Sequence, residues 1–404
     1  MKRLTLLLLG LALGVAATAS AQGLTMQMSN GWAFQFSGNV NVFMVFSKAN
    51  TEAGDASNSS VRTGLLPAFA TFEARGTEAG LKLAVHFGFA PQIQNGGVHD
   101  QFGGAAAPGG IQAGAQIDMR QVYLTVGFKN GSQILAGREL GLFSRQNILQ
   151  DMTLYGVGAV AIGGGQGKGT TLGRIGYGYL YPNFVSQITY STKPGQTQLS
   201  IGLVQPSTLG SGGYAFTTVP RVEGEFTYNR KAGKNSQLFW VGGLWQTTKD
   251  AATNGASITS FGGTAGIKAG FSDLSVVLTG YVGKGLGTTL MFSGDEVGTT
   301  DPTKGHNSDG GYVQLTYKVS PKTTLGGSWG FSRLKHSTDA DGNDNVTSNL
   351  SSYTLGIYHQ WTKSLKFVFE GTQEETTGET EGLFAGLPAG AKQTDISAGF
   401  MLFY

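Results

Sequence analysis

The chain has 404 residues and a formal charge of +3, with 65 glycines, 10 prolines and no cysteine. So even a balance leaves no electrostatic footprint for nucleic acid, the missing cysteines exclude disulfides and thiolate metal sites, and glycine without a three-residue period excludes collagen. The 24 Phe, 14 Tyr and 5 Trp exclude low-complexity disorder and, with small polar residues between them, fit strands that alternate a lipid side with a wet side.

The chain opens Met1-Lys2-Arg3, runs apolar from Leu4 to Ala17 and continues Ala19-Ser20-Ala21. A basic start, a short apolar stretch and an A-x-A end describe a secretory signal peptide over 1–21. The run is too short for a membrane helix, which needs about 20 apolar residues. The remaining 22–404 carries 26 basic against 25 acidic residues, a formal charge of +1.

The first strand spans 32–47. Trp32, Phe34, Phe36, Val40, Val42, Met44 and Phe46 share one face, and Gln35, Ser37, Asn39 and Asn41 the other. Strands of the same kind follow at 68–75, 81–89, 117–128 and 132–139, the last two joined by the Asn130-Gly131 hairpin signal. The segment 140–182 has no such alternation, and we read it as an irregular, polar insert with little apolar face. Strands resume at 183–192, 196–205, 217–229, 236–248, 258–271, 274–284, 310–319, 324–336, 350–361, 365–375 and 393–404. The segment 174–181 belongs to the insert, because counting it as a strand puts the last strand on the wrong side. Both faces of 132–139 and of 236–248 are ambiguous.

Connections alternate in length. Short ones fall at 76–80, 129–131, 193–195, 230–235, 272–273, 320–323 and 362–364; long ones at 48–65, 91–116, 140–182, 206–216, 249–257, 285–309, 337–349 and 376–392. Sixteen strands with short periplasmic turns and long extracellular loops describe an all-β, antiparallel transmembrane β-barrel of the outer membrane. Closure pairs the last strand with the first and leaves no open edge in lipid. Alternation turns Glu73, Arg75, Lys82, His86, Arg221, Glu223, Glu225, Lys268, Lys318, Lys366 and Glu370 into the lumen, where fixed charges filter solutes.

Three motifs invite other chemistry. In GGGQGKGTT, 163–171, Ile162 stands at the first glycine position of a phosphate-binding loop and Gly169 at its hydroxyl position, so the motif fails. In DADGNDN, 339–345, Asp344 occupies the glycine position of an EF-hand and Leu350 its bidentate glutamate, which leaves solvated loop carboxylates. His86, His99, His306, His336 and His359 show no metal-ligand spacing. No cofactor or metal is expected.

With FSGNVNVFMVFS in the first strand, QILAGRELGLFSRQ leading into the third long connection, the ITYSTKPGQTQLSIGLVQP hairpin and the terminal FMLFY, the chain resembles the Gram-negative general porins, trimeric sixteen-stranded barrels. The resemblance implies that 140–182 folds into the lumen as a constriction, with Arg138, Glu139, Arg145, Asp151, Lys168 and Arg174 as its charges. Acids are few among these, which departs from the family's acidic third loop. It also implies a homotrimer and a terminal assembly signal, here Phe400, Leu402 and Tyr404, read by the barrel assembly machinery; most members end in Phe rather than Tyr. Outer-membrane lipid and lipopolysaccharide are the surroundings expected of such a barrel. The expected function is passive diffusion of small hydrophilic solutes, with no reaction catalysed. Two other readings stand beside it: a selective channel for small organic anions, suggested by the insert's basic residues, and a barrel hydrolase, which needs a Ser-His pair held by an acid.

Overall fold

The computed structural model describes residues 23–29, 31–51, 54–93, 117–163, 169–209, 217, 219–249, 257–292, 295–297, 305–335, 347–378 and 389–404. Residues 1–21, expected as a signal peptide, together with Lys168, His99, His336 and the 339–345 motif, lie outside the described residues. The early strands are β1 Leu24–Gln27, β2 Ala33–Thr51, β3 Gly54–Arg62, β4 Phe69–Glu78, β5 Leu81–Pro91, β6 Ile117–Gly127 and β7 Gln133–Leu140. After the insert come β8 Phe184–Ser191, β9 Thr197–Val204, β10 Arg221–Ala232, β11 Asn235–Lys249, β12 Ser257–Phe271 and β13 Leu274–Lys284. The chain ends with β14 Asn307–Ser320, β15 Thr323–Lys335, β16 Thr347–Gln360, β17 Leu365–Thr377 and β18 Lys392–Phe403.

These eighteen strands form one antiparallel sheet with sixteen places round the ring. Two places are shared. On one side of β2, β18 pairs along Asn39 to Asn50 and β1 continues the same line along Ala33 to Phe36. On its other side, β3 pairs along Phe43 to Thr51 and β4 along Ala33 to Asn39, with 63–68 between them turned out of the ladder. The connection expected at 48–65 is therefore mostly strand. The β18–β2 ladder closes the ring, so membrane-depth backbone has its hydrogen-bond partners.

Alternation sets the two faces. In β2, Val40, Val42, Met44 and Phe46 are exposed, while Asn39, Asn41, Phe43, Val45 and Ser47 are buried. Ile188, Leu278, Val282, Trp329, Leu355, Ile396 and Phe400 continue the exposed apolar face round the ring, a continuity that soluble monomers avoid. The opposite face looks inward and is not uniformly polar: Trp240, Val277, Tyr312, Tyr358, Val368 and Met401 sit there in one buried cluster with residues of the insert. This explains the ambiguity of β11, which has Phe239, Val241 and Trp245 outside and Trp240 and Leu244 inside.

Candidate functional site

The insert between β7 and β8 has its own short helices. A turn of α-helix, α1 Arg145–Gln150, follows Ser144 at φ 63, and a 3-10 turn covers Met152–Tyr155. Asp151 caps the second: its Oδ1 accepts from Thr153 N at 2.9 Å and from Thr153 Oγ1 at 2.7 Å. The insert is far from apolar-poor; Leu142, Phe143, Ile148, Met152, Leu154, Val157, Val160, Ile175, Tyr179 and Leu180 are buried.

A backbone this irregular satisfies only part of its own N–H groups, and inward-facing side chains of the barrel accept others. Glu223 Oε2 on β10 accepts from Leu142 N at 2.6 Å and Phe143 N at 3.0 Å. Glu370 Oε2 on β17 accepts from Val157 N at 2.6 Å and Gly158 N at 2.8 Å, and its Oε1 from Tyr358 OH at 2.5 Å. Glu374 accepts from Val160 N at 2.7 Å and from the Tyr177 hydroxyl, and Gln314 Oε1 from Met152 N at 2.6 Å. Carboxylate acceptors make these bonds stronger than neutral pairs. Glycine permits the approach: a Cβ on Gly156 would lie 2.2 Å from Glu370 Oε1, and Gly158, at φ +56, faces the Cα of Gly173 at 2.5 Å from where its own Cβ would be.

Side chains complete the attachment. Asn147 Nδ2 donates to Thr264 Oγ1 at 2.9 Å, its Oδ1 accepts from Trp240 Nε1 at 2.8 Å and Thr279 Oγ1 at 3.0 Å, and its carbonyl accepts from Tyr312 OH at 2.8 Å. Arg174 donates through Nε to Ser328 Oγ at 2.7 Å and through Nη1 to the Ser352 carbonyl at 3.0 Å. Tyr179 OH donates to Asp151 Oδ2 at 2.9 Å. Burial pushes the Asp151 carboxyl up, opposed by Arg174 and the Thr153 donors, and burial likewise lowers the Arg174 guanidinium. Beyond β13 a second segment meets the insert: Tyr181 N donates to Thr289 O at 2.9 Å, and Leu286 and Met291 pack with Phe143 and Leu180. There Asp295 accepts from Thr288 N at 2.9 Å, and burial raises its carboxyl to about 6.

The expected constriction charges are placed differently from their sequence reading. Arg138 is exposed beside Val122 and Ser186 on the outer face, not in the pore, because buried Glu139 takes the inward position next to it. Glu139 accepts from Gln121 Nε2 at 2.8 Å and from Leu140 N at 2.7 Å. Arg145 does lie inside, but its Nη2 bonds Glu225 Oε1 at 2.5 Å, so its charge is compensated. Asp151 and Arg174 are buried within the insert and against the wall, with no surface left for a solute. A charge count along the segment could not reveal this, since the compensating acids come from β10.

On the wall, Glu73, Arg75, Lys82 and His86 occupy inward positions on β4 and β5, and Arg221, Glu223 and Glu225 on β10. Arg75 Nη1 and Glu73 Oε1 are 3.4 Å apart, and Arg221 Nε and Glu223 Oε1 2.9 Å. His86 Nδ1 lies 3.4 Å from Glu73 Oε2, its ring stacks on Tyr123 at 4.6 Å, and its Nε2 has no hydrogen-bond partner, so His86 holds no hydroxyl for nucleophilic attack. Phe400 and Leu402 are exposed on the outer face, while the Tyr404 ring packs against Phe36, tilted by 42° with centroids 5.1 Å apart, and its OH donates to Phe69 O at 3.2 Å. Glu374, Gln314 and Asn147 were not singled out from sequence, nor was Gln393 on β18, whose Oε1 accepts from Gly163 N at 3.0 Å. Glu374 and Gln314 were legible as inward positions, but nothing in a strand pattern says which inward group will receive a loop amide.

No protein-family model and no curated protein sequence matches the chain. Solved structures do. The anion-selective porin from Comamonas acidovorans superposes with a TM-score of 0.63 at 15% identity, covering 92% of this chain and 100% of that one. The outer membrane channel DcaP of Acinetobacter baumannii gives 0.63 at 14% identity, covering 94% and 99%. OmpT of Vibrio cholerae, in a trimer form, gives 0.51 at 16% identity, covering 93% and 100%.

Proposed function

We propose that this chain, which has the fold of the sixteen-stranded porins, is a passive diffusion channel of a Gram-negative outer membrane, with the insert as its constriction. The observation that carries the reading is the insert's attachment to inward positions from β10 to β17, which leaves charged lumen positions such as Arg75, Lys82 and Lys318 solvent-accessible. Solutes then pass by size and charge, and the reaction-free wall requires no cofactor. The apolar outer face fits lipid and lipopolysaccharide, and a homotrimer fits the trimer form of the Vibrio structure. The selective-channel reading loses its first support, since Arg138 faces outward and Arg145 is paired.

The test is conductance of refolded protein in planar bilayers, together with liposome swelling in sugars of increasing size. Replacing 145–172 by a short Gly-Ser link should raise conductance and admit larger sugars. Wild-type conductance and cutoff in a folded deletion protein would refute the constriction.

A further inference from the structure

We infer that the channel prefers anions and that Lys268 and Lys366 determine the preference, so its solutes are small molecules carrying carboxylate or phosphate groups. This rests on the channel reading above. The lumen's charges differ in what they present to a solute. Glu223, Glu225, Glu370 and Glu374 are buried against the insert, and Glu139 and Asp395 among neighbouring polar groups. Lys268 and Lys366 are only half-buried: Lys268 Nζ donates to Gln150 Oε1 at 3.1 Å, and Lys366 Nζ lies 3.7 Å from the Tyr155 ring centroid.

Neither lysine forms an ion pair, among the described residues, with any carboxylate within 4.0 Å. Both are partly solvent-exposed, so their charges meet a passing solute where the buried acids do not. Gln150 and Tyr155 end the two helical turns of the insert, so both lysines stand where the insert borders the lumen. A separate observation points the same way. The short connections between strands carry exposed Lys129, Lys193, Lys234, Lys322 and Lys363 against two acids, Glu78 at the end of β4 and Asp273. A basic mouth in a low-dielectric wall concentrates anions before they reach the insert.

The test is the reversal potential of single channels in a potassium chloride gradient. Wild type should favour chloride. Lys268→Ala and Lys366→Ala should each lower the chloride-to-potassium permeability ratio by about 2- to 3-fold, the part of one charge's effect that survives screening at about 0.1 M salt. Lys268→Glu with Lys366→Glu should reverse the preference, and Lys48→Ala, on the outer face, should leave it unchanged. A cation-preferring wild type overturns the inference, as does chloride preference undiminished in conducting Ala or Glu variants. A folded wild type that does not conduct refutes the channel reading itself, which is a different failure.

Discussion

Changing Glu370 to alanine should loosen the insert without opening the barrel. Its carboxylate accepts from Val157 N, Gly158 N and Tyr358 OH at 2.6, 2.8 and 2.5 Å. All three donors are buried, and the side chain is 1% exposed. Each orphaned buried donor costs about 1–3 kcal/mol, so losing the two amide acceptors alone costs about 2–6 kcal/mol, unless water enters the space left behind. The barrel strands keep every ladder bond, because Glu370 contributes to β17 only through its backbone. The readout is amide hydrogen exchange of detergent-folded protein, resolved to peptides from 150–163. At 1.4 kcal/mol per decade, the lower bound of 2 kcal/mol corresponds to about 30-fold faster exchange at Val157 and Gly158. Glu370→Gln retains an acceptor oxygen and should show a smaller increase. Unchanged exchange in a folded Glu370→Ala protein would refute the idea that wall carboxylates hold the insert.

Arg145→Ala should destabilise the folded protein by about 3–5 kcal/mol, since it strands the buried Glu225 carboxylate; Arg145→Ala with Glu225→Ala should recover part of that loss in a denaturant titration. Phe400→Asp with Tyr404→Asp should lower the outer-membrane yield measured after fractionation, because a carboxylate on the lipid face is destabilising, though by less than the ~2–4 kcal/mol of an Arg or Lys at mid-depth. Asp295, raised to about 6 in the folded chain, binds its proton more tightly there than when unfolded. Its contribution therefore favours the fold most below the unfolded value near about 4 and is lost as pH rises through about 6. Exchange of peptides spanning 286–297, corrected for intrinsic rate, should rise between these limits, and Asp295→Asn should flatten the profile.

The barrel was legible because lipid imposes a simple rule. Every second residue of a spanning strand meets hydrocarbon, and β2, β5 and β18 write that rule in Phe, Val, Met and Leu. Alternating connection lengths then fixed parity, and 174–181 indeed forms only isolated bridges. The inward face obeys no comparable rule. It has to complement whatever packs on it, so buried Trp240 and Leu244 stand on the inward face of a strand whose faces the sequence left ambiguous. The insert's polarity was misjudged for the same reason. Its buried residues are scattered among glycines with no helical or strand period, as in Leu154, Val157, Val160 and Ile175. Arg138 was assigned to the pore by proximity to the insert, although one position of strand register decides its face.

The shared place beside β2 has a consequence for chain connectivity. Phe403 lies opposite Asn39 and Leu24 opposite Phe36, with both segments running in the same direction. Tyr404 exchanges backbone hydrogen bonds with Gly38 at 3.0 and 3.1 Å, and a Cβ on Gly23 would lie 2.5 Å from the Phe36 carbonyl. Residues 404 and 23 thus follow one another along the same line, and the seam is a nick in a continuous strand. A circular permutant joining them through a very short link and opening at 272–273 would keep every strand pairing while moving the nick to the connection between β12 and β13.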